Sequence, residues 1–235
     1  MLCTSLEHKE EEEEEEDNLE SALGFMFDSL HSKTWKVFEL PKQIQIKIQH
    51  IDDNPGHVQS GLYLWPAAEY ACHYLASVWG NQFMPKSIIE FGAGCGLASI
   101  YASKLGGLQL AILTDYDRGC IDLLNNNVNA NSLVGDEKET VGDSNSISSS
   151  SCKLFCEVFK WGSDVTPLLQ LLEQEGDMVA FDMILGTDLL YCVDVVNPLL
   201  RSVSELLQLG NKKSVFVLVS SFDIGEVSVL LLLYL

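Results

Sequence analysis

The chain has 235 residues, of which 47% are hydrophobic and 20% charged, and this suits one α/β domain with flexible extensions. Its 34 acidic and 14 basic residues give a net charge of −20. That charge argues against a broad basic surface for nucleic acid and favours a protein partner. The seven cysteines are scattered, which favours a reducing compartment. Cys152 and Cys156 are spaced as in a metal knuckle, but no second Cys or His pair completes a zinc site, so we expect no metal.

The amino-terminal end carries an acidic run at residues 10–17. We expect residues 1–30 to form a disordered acidic tail. No secretory signal or Arg-rich transit peptide is visible, which favours a cytoplasmic location, with the nucleus as the alternative. At the other end, the apolar residues 227–235 reach about half of the ~20 residues that a spanning helix needs, so we expect no membrane partner.

Residues 31–85 are predicted to form a β-hairpin and a helix that pack on the main domain. Ile44, Ile46 and Ile48 alternate with polar residues, as in a half-buried strand, and apolar residues before Pro41 supply the partner strand. Pro66 then begins a segment rich in Ala, Leu and Tyr. This segment, residues 67–79, favours a helix with proline in its first turn.

From residue 86 onward, short apolar runs alternate with helical patterns, which places the main domain at residues 86–223. The predicted strands are 87–91, 110–114, 154–159, 181–185 and 214–221. The predicted helices are 97–104, 118–128, 167–172 and 197–207. Such alternation predicts an α/β fold of the Rossmann type, a parallel sheet with helices on both faces.

Two segments depart from this alternation. Residues 134–151 are rich in Gly, Asp, Glu, Ser and Asn and contain too little apolar surface to fold, so we expect a disordered surface insertion. Residues 224–235 form an atypical apolar tail where further strands of such a sheet would follow. We therefore expect a sheet that is truncated after its fifth strand and exposes an unpaired edge.

The strongest local signal is IIEFGAGCGL at residues 88–97, an apolar strand followed by glycines at every second position. Glycine lets the backbone approach a ligand closely, because a Cβ would occupy that space. Asp115 follows the second strand, 19 positions after Gly96, where an acidic side chain can accept hydrogen bonds from ribose hydroxyls. A tight turn without a ligand and an Asp that caps the next helix are the alternatives for these two features.

The glycine spacing separates two classes of cofactor. Dinucleotide-binding enzymes carry G-x-G-x-x-G, with glycines two and then three positions apart, whereas Gly92, Gly94 and Gly96 are two and two apart. Glu90 before the loop would also repel a pyrophosphate, but it is compatible with a cationic cofactor that bears an amino group and a sulfonium. An NAD-dependent oxidoreductase is therefore disfavoured.

With these features in place, the chain resembles the class I, seven-β-strand S-adenosylmethionine-dependent methyltransferases. Among them it is similar to the non-SET protein lysine methyltransferase-like family. The resemblance runs from residue 35 to residue 223 in the family's order. The stretches that carry it are GLYLWPAA at 61–68, EFGAGCGL at 90–97, TD at 114–115, the Asn-rich residues 125–131, KWG at 160–162 and FDMILGTDLLY at 181–191.

The resemblance implies S-adenosylmethionine as cofactor and methyl transfer to a lysine side chain of a protein. The predicted cofactor-binding residues are Trp65, Glu90, Gly92, Ala93, Gly94, Gly96, Asp115, Trp161 and Thr187. Within this set, the glycine loop would line the methionine part, Asp115 the ribose, and Trp161 the adenine side. The predicted catalytic residues are Asp188 and Tyr191, which match the family's acid-x-x-aromatic motif that positions the substrate side chain.

Two departures from the family bear on activity. Cys95 stands where the family more often has Thr or Ser, a modest change in a loop that acts through its backbone. The expected loss of the last strands leaves a second function open, a binding or scaffold protein that keeps the fold without catalysis. Turnover of cofactor would separate the enzyme from the scaffold.

Overall fold

The computed structural model describes residues 32–52, 60–80, 83–132, 152–209, 214–221 and 230–233. The predicted acidic tail at 1–30 lies outside these residues, as do the predicted insertion at 134–151 and the tail at 224–235 except for residues 230–233. Across the described segments, no helix is long and apolar enough to cross a bilayer. The same segments hold no cluster of three or more His, Cys, Asp or Glu side chains placed to bind a metal ion.

An antiparallel hairpin opens the described chain, as predicted. Its strands are β1 (Lys33–Leu40) and β2 (Ile44–Ile51), with Leu40 opposite Ile44 across the turn. Ile46 and Ile48 are fully buried, while Lys47 between them and Gln45 before them are exposed. The two-residue period of the sequence is therefore the period of a strand with one face on the core.

The main domain is a sheet covered by helices. The strands that follow the hairpin are β3 (Ser87–Phe91), β4 (Leu110–Asp115), β5 (Lys153–Val158), β6 (Met183–Thr187), β7 (Val215–Val219) and β8 (Leu230–Leu233). The helices are α1 (Pro66–Val78), α2 (Leu97–Lys104), α3 (Arg118–Ser132), α4 (Thr166–Gly176) and α5 (Val196–Leu209). The strand order is β5-β4-β3-β6-β7-β8, and all neighbours are parallel except β7 and β8.

Two apolar cores lie on opposite faces of this sheet. Ile88 belongs to the core shared with the hairpin, α1, α2 and α3, whereas Ile89 belongs to the core shared with α4 and α5. Both faces of β3 are thus covered, which explains why its sequence is a continuous apolar run. Burying one such isoleucine contributes roughly 1.5–3 kcal/mol.

The carboxyl-terminal edge of the sheet differs from the expectation. The sheet does not end after its fifth strand, because β8 pairs antiparallel with β7, with Leu230 opposite Val219 and Leu233 opposite Phe216. The outer edge of β7 would otherwise present unpaired N–H and C=O groups beside a buried apolar strand. The apolar run supplies those hydrogen bonds, which composition alone did not reveal.

Two buried asparagines of α3 attach the hairpin to the main domain. Asn131 accepts a hydrogen bond from the N–H of Lys47 and donates to its carbonyl, at 2.9 and 2.8 Å. Asn127 makes the same pair with Gln49, at 2.7 and 3.0 Å. The side-chain amides thus replace a neighbouring strand along β2. Asn127 also donates to the carbonyl of Cys95 at 2.9 Å, which ties the glycine loop to the hairpin.

Candidate active site

A cleft of about 520 Å³ opens at the carboxyl ends of β3, β4 and β6. β3 lies between β4 and β6 in the sheet. After β3 the chain adds β4 and β5 on one side of it, and then β6 and β7 on its other side. Ligands of open α/β sheets bind in the crevice at such a switch point. The predicted site residues that line the cleft are Trp65, Gly92, Ala93, Gly94, Asp115, Trp161, Thr187, Asp188 and Tyr191.

The glycine loop after β3 has positions where a side chain does not fit. Gly92 and Gly94 have φ angles of +56° and +52°, in the left-handed region that favours glycine. A Cβ on Gly94 would lie 2.8 Å from the carbonyl oxygen of Gly61, a backbone atom that cannot rotate away. The loop and the segment before α1 therefore approach backbone to backbone.

Two predicted residues lie behind the loop and do not line the cleft. Glu90 is 1% exposed, and its Oε2 accepts the backbone N–H of Ser99 in α2 at 3.2 Å. Burial raises the pKa of Glu90 to about 7, although the hydrogen bond from the N–H of Ser99 acts in the opposite direction. Gly96 is the N-cap of α2 with φ of +79°, and a Cβ there would collide with Leu124. Both residues therefore stabilise the loop from behind and do not contact the cleft.

Asp115, the last residue of β4, faces the loop and is 6% exposed. Its Oδ2 accepts the N–H of Gly94 at 3.1 Å, and its Oδ1 accepts the N–H of Asp117 at 3.2 Å. Burial raises the pKa of Asp115 to about 6, against the lowering effect of these two bonds. A carboxylate can accept about four hydrogen bonds, so Asp115 keeps acceptor sites for hydroxyl groups of a ligand.

Aromatic rings form the broad walls of the cleft. The ring centroids of Trp161 and Tyr191 are 6.4 Å apart and the rings are tilted by 44°. Trp65 meets Tyr63 edge to face at 5.4 Å. Tyr116, directly after Asp115, lines the same cleft and is 59% exposed. Such faces can stack on a flat ring such as adenine.

Asp188 follows Thr187 at the end of β6 and has φ of +55°, an unusual conformation that Asp tolerates better than most residues. Its carboxylate is 5% exposed and accepts three hydrogen bonds from the protein, one from Ala67 and two from Ser221. Asp188 therefore has a structural task in addition to lining the cleft.

Several lining residues were not assigned to the site from the sequence. They are Gly61, Tyr63, Leu64, Ala68, Cys95, Tyr116, Asp117, Cys120, Leu189 and Cys192. Tyr116 and Asp117 carried a usable signal, because they directly follow Asp115 at the carboxyl end of a parallel strand. Nothing in the sequence indicated that Cys120 belongs to the site, since only the fold brings its sulfur close to Gly61.

The charges of the cleft distinguish between cofactors. Its charged lining residues are the carboxylates Asp115, Asp117 and Asp188, and the described lining contains no Lys, Arg or His. These charges would repel the pyrophosphate of a dinucleotide, whereas they attract a cation. S-adenosylmethionine carries an ammonium and a sulfonium group, so the donor set of the cleft fits it.

The sequence matches the lysine methyltransferase family over residues 42–222, more than half of the chain. The chain belongs to this family. The family and the α/β fold predicted from the sequence are thus confirmed.

Three curated relatives illustrate what the chain is similar to. The protein N-terminal and lysine N-methyltransferase EFM7 of Kluyveromyces lactis is 29% identical over 174 residues, which cover 73% of this chain and 61% of that protein. The protein of the same name from Yarrowia lipolytica is 32% identical over 155 residues, 65% of this chain and 54% of that protein. The histone-arginine methyltransferase METTL23 of Mus musculus is 29% identical over 158 residues, 66% of this chain and 51% of that protein. The chain thus spans between about half and three fifths of these relatives.

Proposed function

We propose that the chain is an S-adenosylmethionine-dependent methyltransferase that modifies a lysine side chain of a protein. The observation that best supports this proposal is the cleft at the carboxyl ends of β3, β4 and β6. Nine predicted site residues line it, and all of its charged lining groups are carboxylates. The name of the Kluyveromyces lactis relative, which specifies protein N-terminal and lysine methylation, supports a protein nitrogen as acceptor. The net charge of −20 supports a protein acceptor over nucleic acid.

The residues present would hold the cofactor in three parts. Gly92, Ala93 and Gly94 would contact the methionine part through their backbone, and Asp115 would accept hydrogen bonds from the ribose hydroxyls. Trp161 offers a face for the adenine ring, and Thr187 would contribute its backbone. When bound, S-adenosylmethionine would supply an electrophilic methyl carbon: a nitrogen that bonds to it in line would break the methyl–sulfur bond, and S-adenosylhomocysteine would leave.

The acceptor side of the reaction depends on positioning. An in-line displacement needs a neutral amine held close to the methyl carbon, and correct placement supplies much of the rate. Lysine is protonated near pH 7, so the cleft must favour its neutral form or give the proton a path to water. Tyr191, 53% exposed at the mouth, can contact the entering side chain and exclude solvent. The carboxylate of Asp188 accepts three hydrogen bonds from the protein, and a carboxylate can accept about four. Its remaining acceptor site can orient the nitrogen.

The proposal includes the compartment. The described cysteines Cys72, Cys95, Cys120, Cys152, Cys156 and Cys192 are free thiols. Free thiols support a reducing environment, as in the cytosol or nucleus.

Titration calorimetry with S-adenosylmethionine and NAD, side by side, tests the cofactor. We expect the first to bind and the second not to bind. Asp115→Asn should weaken the binding of S-adenosylmethionine, because an amide is a poorer acceptor for hydroxyls than a carboxylate. Asp122→Asn, at an exposed position of α3, is the matched control and should bind like the wild type.

Incubation with methyl-tritiated S-adenosylmethionine and cell-extract proteins tests the reaction, with mass spectrometry of the labelled residue as readout. We expect the label on the Nζ atom of lysine. Label found only on arginine would show that the acceptor is arginine and would contradict the proposed lysine. Binding of S-adenosylmethionine without any transfer would favour the scaffold function.

A further inference from the structure

The mouth of the cleft carries an exposed apolar ridge, residues 190–194, between β6 and α5. Leu190, Tyr191 and Val193 are 39%, 53% and 85% exposed, and Cys192 and Asp194 are exposed between and after them. Two members, Tyr191 and Cys192, also line the cleft. Apolar side chains grouped at the rim of a binding site are typical of an interaction surface.

The ridge is anchored at both ends. Leu189, directly before it, is 3% exposed and packs over Gly92 and Gly186. At the other end, the N–H of Val196 donates to the carbonyl of Val193 at 3.2 Å. The exposed side chains of the ridge are thus presented from a backbone that the fold holds in place.

Tyr116 lies on the other side of the same opening. It follows β4, whereas the ridge follows β6, and the glycine loop after β3 lies between them. With 59% of its surface exposed, Tyr116 gives the opening a second apolar side. A side chain that enters the cleft would therefore pass between Tyr116 and the ridge.

The charges near the opening favour a positive occupant. Asp115, Asp117 and Asp188 line the cleft, and Asp194 is exposed on the ridge. Arg118 follows β4, Lys160 follows β5, and the charge of Lys33 reaches the lining residue Cys120, but none of these three cations lines the cleft itself. A lysine side chain would thus meet only carboxylates as charged partners inside the opening.

We propose that this ridge is the docking surface for the acceptor protein and that its occupant is a positively charged segment with an apolar residue beside the target lysine. The inference rests on the proposed function. The apolar neighbour buries against Leu190 and Val193 while the lysine passes Tyr191 into the cleft. The carboxylates favour the positive charge of the segment, so acceptor binding weakens as salt screens them.

Val193→Ser tests the apolar contact, with Val179→Ser as its matched control. Val179 is 80% exposed and precedes β6, at the opposite edge of the sheet from the cleft. The assay is the initial rate of tritium transfer to cell-extract proteins at saturating S-adenosylmethionine, with the cofactor Kd from calorimetry. We expect Val193→Ser to lower the rate about tenfold, as for one lost contact of ~1.4 kcal/mol, without changing the cofactor Kd. Val179→Ser should match the wild type.

Asp194→Lys tests the charge, with Glu173→Lys as control. Both positions are exposed, but Glu173 lies on α4, away from the opening. We expect only Asp194→Lys to slow the transfer, and its effect should shrink in high salt.

The outcomes separate this proposal from the proposed function. If the wild type transfers label and Val193→Ser transfers it equally fast, the docking surface is overturned while the methyltransferase stands. If Val193→Ser weakens cofactor binding in proportion to its rate, the ridge belongs to the cofactor site and the docking role is overturned. If the wild type transfers no label, the proposed function fails and this inference fails with it.

Discussion

The carboxylate of Asp188 holds Ser221 by two hydrogen bonds of 2.6 Å, from the backbone N–H to Oδ1 and from the hydroxyl to Oδ2. The same carboxylate accepts the N–H of Ala67 at 3.2 Å. That N–H belongs to the first turn of α1, where an anion is favoured and backbone donors lack helical partners. One side chain therefore joins the ends of β6 and β7 to the helix that follows Trp65, a wall of the cleft.

Asp188→Ala should lower the free energy of unfolding by about 2–4 kcal/mol, because the donors on Ala67 and Ser221 lose a charged acceptor. Ser221→Ala removes only the hydroxyl bond and should cost about 1–2 kcal/mol. Urea denaturation measures both, with the exposed Asp122→Ala as control. If Asp188→Ala were as stable as the wild type yet inactive, the carboxylate would serve the acceptor alone.

Gly94→Ala should abolish the binding of S-adenosylmethionine, since the new Cβ would lie 2.8 Å from the carbonyl oxygen of Gly61. Gly106→Ala is the matched control, because Gly106 also has a positive φ but a Cβ there meets nothing within 4 Å. Both variants carry the backbone cost of roughly 1–2 kcal/mol for a side chain in the left-handed region. Calorimetry should show binding only for Gly106→Ala, and binding by both would remove the close approach as a requirement.

The strand, glycine loop and helix from Ser87 to Lys104 could be predicted residue by residue, because a short apolar run and an abrupt glycine turn leave little freedom. The start of β6 could not. The sequence predicts it at Phe181, but β6 begins at Met183. The side chain of Asp182 accepts hydrogen bonds from the N–H groups of Lys86 and Ser87, 96 and 95 residues earlier, and no local pattern reports such contacts.

In the candidate site, too, contacts between residues distant in sequence could not be predicted. Glu90 was assigned to the cofactor from its place before the glycines, yet it points toward Ser99 and away from the cleft. On a strand with both faces buried, apolar periodicity does not say which face a polar residue takes. The three protein contacts of Asp188 depend on partners 121 and 33 residues away, so only the fold could reveal them.

Asn127→Ala should destabilise the protein by about 2–4 kcal/mol and weaken cofactor binding, because a fully buried amide loses its bonds to Gln49 and Cys95. Asn126→Ala, exposed on the same helix, is the control and should change stability by less than about 0.5 kcal/mol. Thermal unfolding with and without S-adenosylmethionine measures both effects. Equal stability of the two variants would contradict the role of Asn127 in attaching the hairpin.

Stability should depend on pH through Glu90. Burial raises its pKa from 4.5 to about 7, so the folded state binds a proton that the unfolded chain releases. The stability that this proton contributes is complete below about pH 4.5 and is lost as the pH rises through about 7. Glu90→Gln stays neutral, and its amide oxygen can accept the N–H of Ser99. The variant should therefore gain stability relative to the wild type as the pH rises from about 5 to 8.

Thermal unfolding of the wild type and Glu90→Gln from pH 4.5 to pH 8 measures this difference, which should level off above about pH 7. The pKa of Asp115 is also raised, to about 6, so Asp115 likewise makes the protein less stable as the pH rises, but at lower pH than Glu90. This contribution remains in Glu90→Gln. Asp115→Asn removes the contribution of Asp115 and, because the charge of Asp115 also raises the pKa of Glu90, should slightly lower the pH at which Glu90 titrates. Because a cationic cofactor favours both ionised carboxylates, its binding should release protons, and calorimetry in buffers of different ionisation enthalpy would detect them. Parallel melting curves for the wild type and Glu90→Gln at every pH would show that Glu90 does not titrate in this range.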